Sequence, residues 1–124
     1  MKSCLLRVRA LAFVCLMLAG LLSAHAADGL AMIAVSDLPP EAQQTLTLIK
    51  QGGPFPYPKD GVVFGNHQHV LPSQRRGYYH EYTVDTPGAR NRGAHRIVVG
   101  GVNTSSPEYF YTGDHYVTFQ RIQE

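Results

Sequence analysis

Beyond Cys15 the sequence has no cysteine, and its two cysteines, Cys4 and Cys15, both fall near the N-terminus. A disulfide framework is therefore excluded for the rest of the chain, which must hold together by its core alone. Long apolar runs are missing too. Ala10 to Leu22 is the one candidate; it is short for a membrane span, and Ser23 to Gly29 carries no basic stop-transfer charge. Internal repeats and low-complexity tracts are absent. The surplus of positive charge is only apparent. Lys2, Arg7 and Arg9 precede the apolar run, and Ala24-His25-Ala26 puts small residues at both cleavage-determining positions, so residues 1–26 are predicted to be a secretory signal peptide. Cys15 follows Phe13-Val14 inside that run, which excludes a lipoprotein site. Without the leader, the 11 Lys and Arg fall by three to 8, against 9 Asp and Glu. Polyanion binding cannot then rest on net charge and needs local clustering, which Arg90, Arg92, His95 and Arg96 supply.

The 124 residues less 26 leave 98, residues 27–124, enough for one small domain. Ala27 to Ser36 has weak periodicity and is expected to be a loose lead-in. Leu38-Pro39-Pro40-Glu41 reads as a helix start, because proline in the first turn lacks only an N–H that would be unpaired anyway. Ala42, Leu46 and Ile49 continue at helical spacing, and Gly52-Gly53-Pro54 stops the helix. Strands are then expected at about Val62 to Phe64, Gly77 to Val84, His95 to Gly100, Glu108 to Tyr111 and His115 to Ile122, separated by Asp-, Gly-, Asn- and Pro-rich turns. The pattern is α+β: one N-terminal helix covering one face of a twisted antiparallel sheet, the other face open to solvent. Strand alternation puts Tyr79, Glu81 and Thr83 on one face and His80, Tyr82 and Val84 on the other.

Four residues on this framework could carry acid–base chemistry. Glu81, in an aromatic strand, is either solvent-facing, paired with an arginine, or a general base. His115, expected at the first residue of a strand after a Thr-Gly-Asp turn, is either an ordinary surface histidine or a general acid, since imidazole exchanges protons near neutrality. Arg92 and Arg96 either solvate a turn or hold an anion. Together they make a base, an acid and two cations, the set needed to activate a 2′-hydroxyl, protonate a 5′-oxygen and stabilise a phosphorane. His67 and His69 share a face of an extended segment but lack a third ligand, so no metal site is expected. Most of the tyrosines suit half-buried strands; Tyr116, beside His115, stands apart.

The motifs Leu38-Pro39-Pro40-Glu41-Ala42, Gly53-Pro54-Phe55-Pro56-Tyr57, Asp60-Gly61-Val62-Val63-Phe64, the stretch from Gly77 to Arg96, and Tyr111-Thr112-Gly113-Asp114-His115-Tyr116 resemble, in one order, the small secreted microbial guanyl-specific ribonucleases of the barnase-like family. The resemblance implies cleavage of single-stranded RNA without metal or other cofactor, through a 2′,3′-cyclic phosphate. Glu81 would be the base, His115 the acid, Arg92 and Arg96 the phosphate-binding pair, and Tyr116 a phosphate contact. Phe64, Gly65, Asn66, His67 and Gln68 would form the loop that reads guanine through backbone N–H groups. Its last position departs from the family, which has a glutamate where this chain has Gln68. A carboxylate accepts from both guanine N1–H and the exocyclic amine, whereas an amide offers one oxygen, so guanine preference is expected to be weakened. Ala34 stands where some relatives have a disulfide cysteine, which implies a looser terminal segment, and His95 stands where relatives often have another basic residue, which implies phosphate affinity that rises as pH falls. The resemblance also implies a monomer, exported and free of the membrane after signal cleavage, with a barstar-like protein inhibitor as partner. A non-catalytic RNA- or nucleotide-binding module on the same scaffold is the alternative.

Overall fold

The computed structural model describes residues 29–124, so the expected signal peptide lies outside the described residues. Leu38 is buried at the entry to helix α1 (Pro40–Gln51), whose first turn holds Pro40 and Glu41. Ala42, Thr45 and Leu46 form its buried stripe, at the spacing that brings side chains onto one helical face. The helix ends at Gly52, whose φ of 81° is the left-handed conformation glycine adopts without a Cβ clash; Gly52 N–H donates to Ile49 O and Gly53 N–H to Leu48 O.

Five strands form one mixed sheet: β1 (Ala31–Ala34), β2 (Tyr79–Thr83), β3 (Arg96–Gly100), β4 (Glu108–Thr112) and β5 (Gln120–Gln123), in the spatial order β1-β5-β4-β3-β2. The expected antiparallel sheet is present in β2 to β5, and β1 adds to it in parallel, with Ile33 opposite Ile122. The segment expected to be a loose lead-in is thus an edge strand, followed by a 3-10 turn over Val35–Asp37. Ile33 and Val35 pack against the main core, and Lys50 pairs with Glu124, so packing and hydrogen bonds fasten this end of the sheet.

Two cores result, one on each face. Val84, Ile97, Val99, Tyr111 and Ile122 meet Leu38, Ala42 and Leu46 of the helical side, with Tyr82 against them. Truncating a fully buried residue such as Ile97 to alanine would cost about 2–5 kcal/mol. The opposite face is not wholly open, as the alternation alone suggests. Tyr79, Val98 and Phe110 are buried there under Leu71 and Phe119, with Phe64, Val70 and Tyr116 packed alongside. A loop covers half of this face, because Tyr79, Val98 and Phe110 together are too apolar to leave in water. Only the end that carries Glu81, Thr83, Arg96 and Thr112 stays polar. The segment 61–64 lies along β2, with Gly61 N–H bonded to Glu81 O, Glu81 N–H to Val62 O and Phe64 N–H to Tyr79 O. It therefore delivers the following loop to the mouth of the polar half.

Candidate active site

The antiparallel register places Glu81 opposite Val98, and Thr83 opposite Arg96, which in turn lies opposite Thr112. Directly opposed residues share a face, so Glu81, Thr83, Arg96 and Thr112 form one polar patch on three adjacent strands. Glu81 Oε1 lies 3.4 Å from Arg92 Nη2, and Glu81 Oε2 accepts a 2.9 Å hydrogen bond from the Tyr116 hydroxyl. Burial pushes the Tyr116 hydroxyl up to about 12; its bond to the Glu81 carboxylate and that group's charge add to the rise, and Arg96 opposes it. Arg92 is not on a strand: it reaches in from the β2–β3 connection, donating from Nε (3.1 Å) and Nη2 (2.9 Å) to Thr83 Oγ1. Thr83 was not singled out in the sequence, although standing two residues after Glu81 it had to share that face.

Arg96 is 2 % exposed. Its Nη1 donates to His95 O at 2.7 Å and reaches Arg92 O at 3.4 Å, but its buried Nε has no partner among the described residues. An unsatisfied buried donor costs about 1–3 kcal/mol, so this one is a stored demand for an acceptor. His95, by contrast, turns its ring toward Tyr111, 6.3 Å between centroids, on the helix-covered side. The expectation that it joins the arginines at a phosphate is therefore not met: alternation sends adjacent residues to opposite faces.

His115 is also displaced from its expected place. β5 starts only at Gln120, and the residues between β4 and β5 form a tight loop in which His115 (φ 55°) and Tyr116 (φ 74°) are both left-handed. Asp114 imposes this shape. Its carboxylate accepts from the Thr118 hydroxyl and N–H and from the Thr112 hydroxyl, and these bonds, Thr118's first, hold its carboxyl down at about 2. Tyr116 N–H bonds back to Thr112 Oγ1 and His115 N–H to Ala94 O. The loop thereby puts the exposed His115 ring 4.7 Å from the Tyr116 ring, on the side of a cavity of about 250 Å³ also walled by Phe64, Gln68 and Val70.

The loop from Phe64 to Gln68 forms the rest of that cavity. Phe64 N–H is taken by Tyr79 O, so what Phe64 offers is its ring, stacked 4.9 Å from Tyr116 at 27°. Asn66 is buried and left-handed (φ 51°), a conformation asparagine tolerates. Its side chain clamps the loop, Nδ2 donating to Leu71 O at 2.9 Å and Oδ1 accepting from Leu71 N–H at 3.1 Å. Among the described residues the backbone N–H groups of Gly65, Asn66, His67 and Gln68 have no protein acceptor. His67 folds its ring over Gly65, where an added Cβ would stand 2.5 Å from Nε2. Gln68 is exposed at the cavity wall, and no three His, Cys, Asp or Glu side chains among the described residues come together as metal ligands.

The ribonuclease family profile matches residues 23–123 of the chain. The chain is 58% identical to guanyl-specific ribonuclease Sa of Kitasatospora aureofaciens over 92 residues, 74% of this chain and 93% of that protein. It is 53% identical to guanyl-specific ribonuclease St of Saccharopolyspora erythraea over 93 residues, 75% of this chain and 88% of that one. Among solved structures, ribonuclease Sa2 with guanosine-2′-cyclophosphate aligns with a TM-score of 0.70 at 49% identity, covering 76% of this chain and 96% of that one. Ribonuclease Sa2 in complexes with mononucleotides aligns at 0.72 and 48% identity, covering 77% and 95%.

Proposed function

The chain belongs to the ribonuclease family that includes the guanyl-specific ribonucleases, and from that premise we propose how its own residues do the work. It is an endoribonuclease that cleaves RNA through a 2′,3′-cyclic phosphate. The observation that carries the assignment of roles is Glu81, fixed between Tyr116 and Arg92 on the face that also holds the unsatisfied donor of Arg96.

Glu81 takes the proton of the 2′-hydroxyl, whose oxygen attacks the adjacent phosphorus. Arg92 and Arg96 draw the phosphate's non-bridging oxygens against them, and the buried Arg96 Nε gains the acceptor it lacks, stabilising the charge that grows in the phosphorane. Tyr116 orients the Glu81 carboxylate and borders the phosphate. His115 gives its proton to the departing 5′-oxygen, leaving the cyclic phosphate; water then opens that ring with the two groups exchanging roles. The free N–H groups of Gly65 to Gln68 suit a purine with acceptors at O6 and N7, and the Phe64 ring borders the base. Gln68 supplies one acceptor oxygen where two guanine donors face it. The loss of one charge-assisted bond is worth about 1.5–3 kcal/mol, so guanine preference is weakened roughly tenfold to a hundredfold. Comparing cleavage of GpN, ApN and UpN dinucleotides tests this, and strict guanine specificity would sink it.

The expected leader supports export, and the resemblance to the barnase-like family is what supports a monomer and a barstar-like protein inhibitor as its partner. Digestion of polymeric RNA by the purified domain, with and without chelator, tests the chemistry. Glu81→Gln and His115→Ala should each lower turnover by about 10²–10⁴ with the fold retained, and chelator should change nothing. RNA retained uncleaved by the native protein would instead establish the binding-module alternative.

A further inference from the structure

Two more cavities lie beside the base pocket, each sharing lining residues with the one before it. The first, about 290 Å³, shares Phe64, Asn66 and His67 with the pocket and is also lined by Arg75 and Arg76. The second, about 470 Å³, begins at those arginines and runs between them, Tyr78 and Asn103. No carboxylate lines any of the three. Glu108, at the same end of the sheet, is already engaged by Arg121 at 2.7 Å and by the Tyr78 hydroxyl at 3.0 Å. Arg75 and Arg76 are exposed, and among the described residues neither guanidinium has an ion-pair or side-chain hydrogen-bond partner. In a domain with nearly balanced charge, two adjacent uncompensated arginines form a strong local field. They stand just before β2, at the opposite end from Thr83 and Arg92, so the catalytic centre does not use them.

We infer that Arg75 and Arg76 form an extended subsite for the RNA backbone, holding phosphodiester groups of nucleotides beyond the one in the base pocket. The chemistry is that of a single-strand track, a cationic groove joined to an aromatic platform. Tyr78 supplies the platform: it is held edge-on against Tyr79, 4.8 Å between centroids, its ring borders the outer cavity, and it is anchored through its hydroxyl. Guanidinium forks match phosphate geometry, and the three cavities adjoin through shared walls, Phe64, Asn66 and His67 between the first two and Arg75 and Arg76 between the last two, so one strand laid across them meets the base pocket and the arginines together. This inference rests on the ribonuclease reading, and its consequence is a preference for long substrates over dinucleotides.

The test compares the native domain with the Arg75→Ala/Arg76→Ala and Arg75→Lys/Arg76→Lys variants on a guanosine dinucleotide and on decanucleotides with one guanosine, across a range of salt. In the alanine variant dinucleotide cleavage should stay within twofold, kcat/KM on decanucleotides should fall about tenfold, and the salt slope should flatten by about 1.4, near 0.7 for each single-strand phosphate that an arginine no longer neutralises. The lysine variant should keep most of the slope. Unchanged length and salt dependence in the alanine variant, or an equal loss on the dinucleotide, would overturn the subsite. Anisotropy with a decanucleotide carrying 2′-deoxyguanosine, which cannot be cleaved, decides the subsite separately. If the native protein cleaved neither the dinucleotide nor the decanucleotides, the ribonuclease reading would fail, while weaker binding by the alanine variant would still establish the track. Displacement of that probe by inorganic phosphate at equimolar phosphate groups would show an isolated-anion site and overturn the track.

Discussion

The Tyr116 hydroxyl donates a 2.9 Å hydrogen bond to Glu81 Oε2, joining the β4–β5 loop to the middle of β2 across 35 residues of sequence. The bond fixes the orientation of the candidate base. Tyr116→Phe removes one charge-assisted hydrogen bond, about 1.5–3 kcal/mol, so turnover should fall roughly tenfold to a hundredfold. The same contact appears in a titration. Burial and the Glu81 carboxylate together hold the Tyr116 hydroxyl at about 12, so in Glu81→Gln it should ionise at lower pH, though burial keeps it above the usual tyrosine value. Phenolate absorbance followed to high pH reads the change, and an unchanged curve would mean that the two groups are uncoupled in solution.

Asn66 holds the base loop through both ends of its amide. Asn66→Ala leaves the Leu71 N–H and C=O unpartnered in a buried site, and should destabilise the domain by about 1–3 kcal/mol per orphaned group. It also asks alanine to hold a left-handed backbone. Denaturant unfolding measures the first effect, and a raised KM for guanosine dinucleotides with little change in kcat measures the loosened loop.

Asp114 sets the pH dependence of the loop that carries His115. Its folded carboxyl lies at about 2, below its ordinary 3.8, because the Thr118 and Thr112 bonds favour the ionised form. A depressed acid contributes stability that is present above pH 3.8 and lost as pH falls toward 2. Thermal unfolding of the native domain and of Asp114→Asn should therefore differ at pH 6 and converge near pH 2. A gap that stays constant through that window would show that the carboxylate's charge is not what holds the loop.

Gln68 is exposed at the cavity wall, so Gln68→Glu meets no steric obstacle. Restoring a second, charged acceptor should raise the ratio of GpN to ApN cleavage by roughly tenfold to a hundredfold. Parallel kcat/KM measurements on the two dinucleotides check it.

The limits of helix α1 were legible because Pro40 and Gly52 are tied to helix ends by backbone chemistry that any context respects. The positions of β2, β3 and β4 were legible to within two residues for a similar reason, alternation bounded by turns. The strand expected from His115 was not, because a network of hydroxyls and one carboxylate around Asp114 overrides extended propensity, and its bonds to Thr112 and Thr118 count only once the loop has closed. β1 was hidden because a four-residue edge strand is held by the β5 backbone, 89 residues away at Ala31 and Gln120.

Residue types and their order alone determined which groups could act as base, acid and cations, that Glu81 and Thr83 share a face, and that no disulfide holds the domain. These follow from chemistry and from the two-residue period of a strand, both local properties. The tertiary structure decided which of those groups meet. It turned His95 away to Tyr111, drew Arg92 onto Thr83 and Glu81, buried Arg96 with a donor to spare, and left Arg75 and Arg76 uncompensated at the end of a cavity. Those outcomes depend on register between distant strands and on how loops cover an apolar face, which the folded chain settles as a whole.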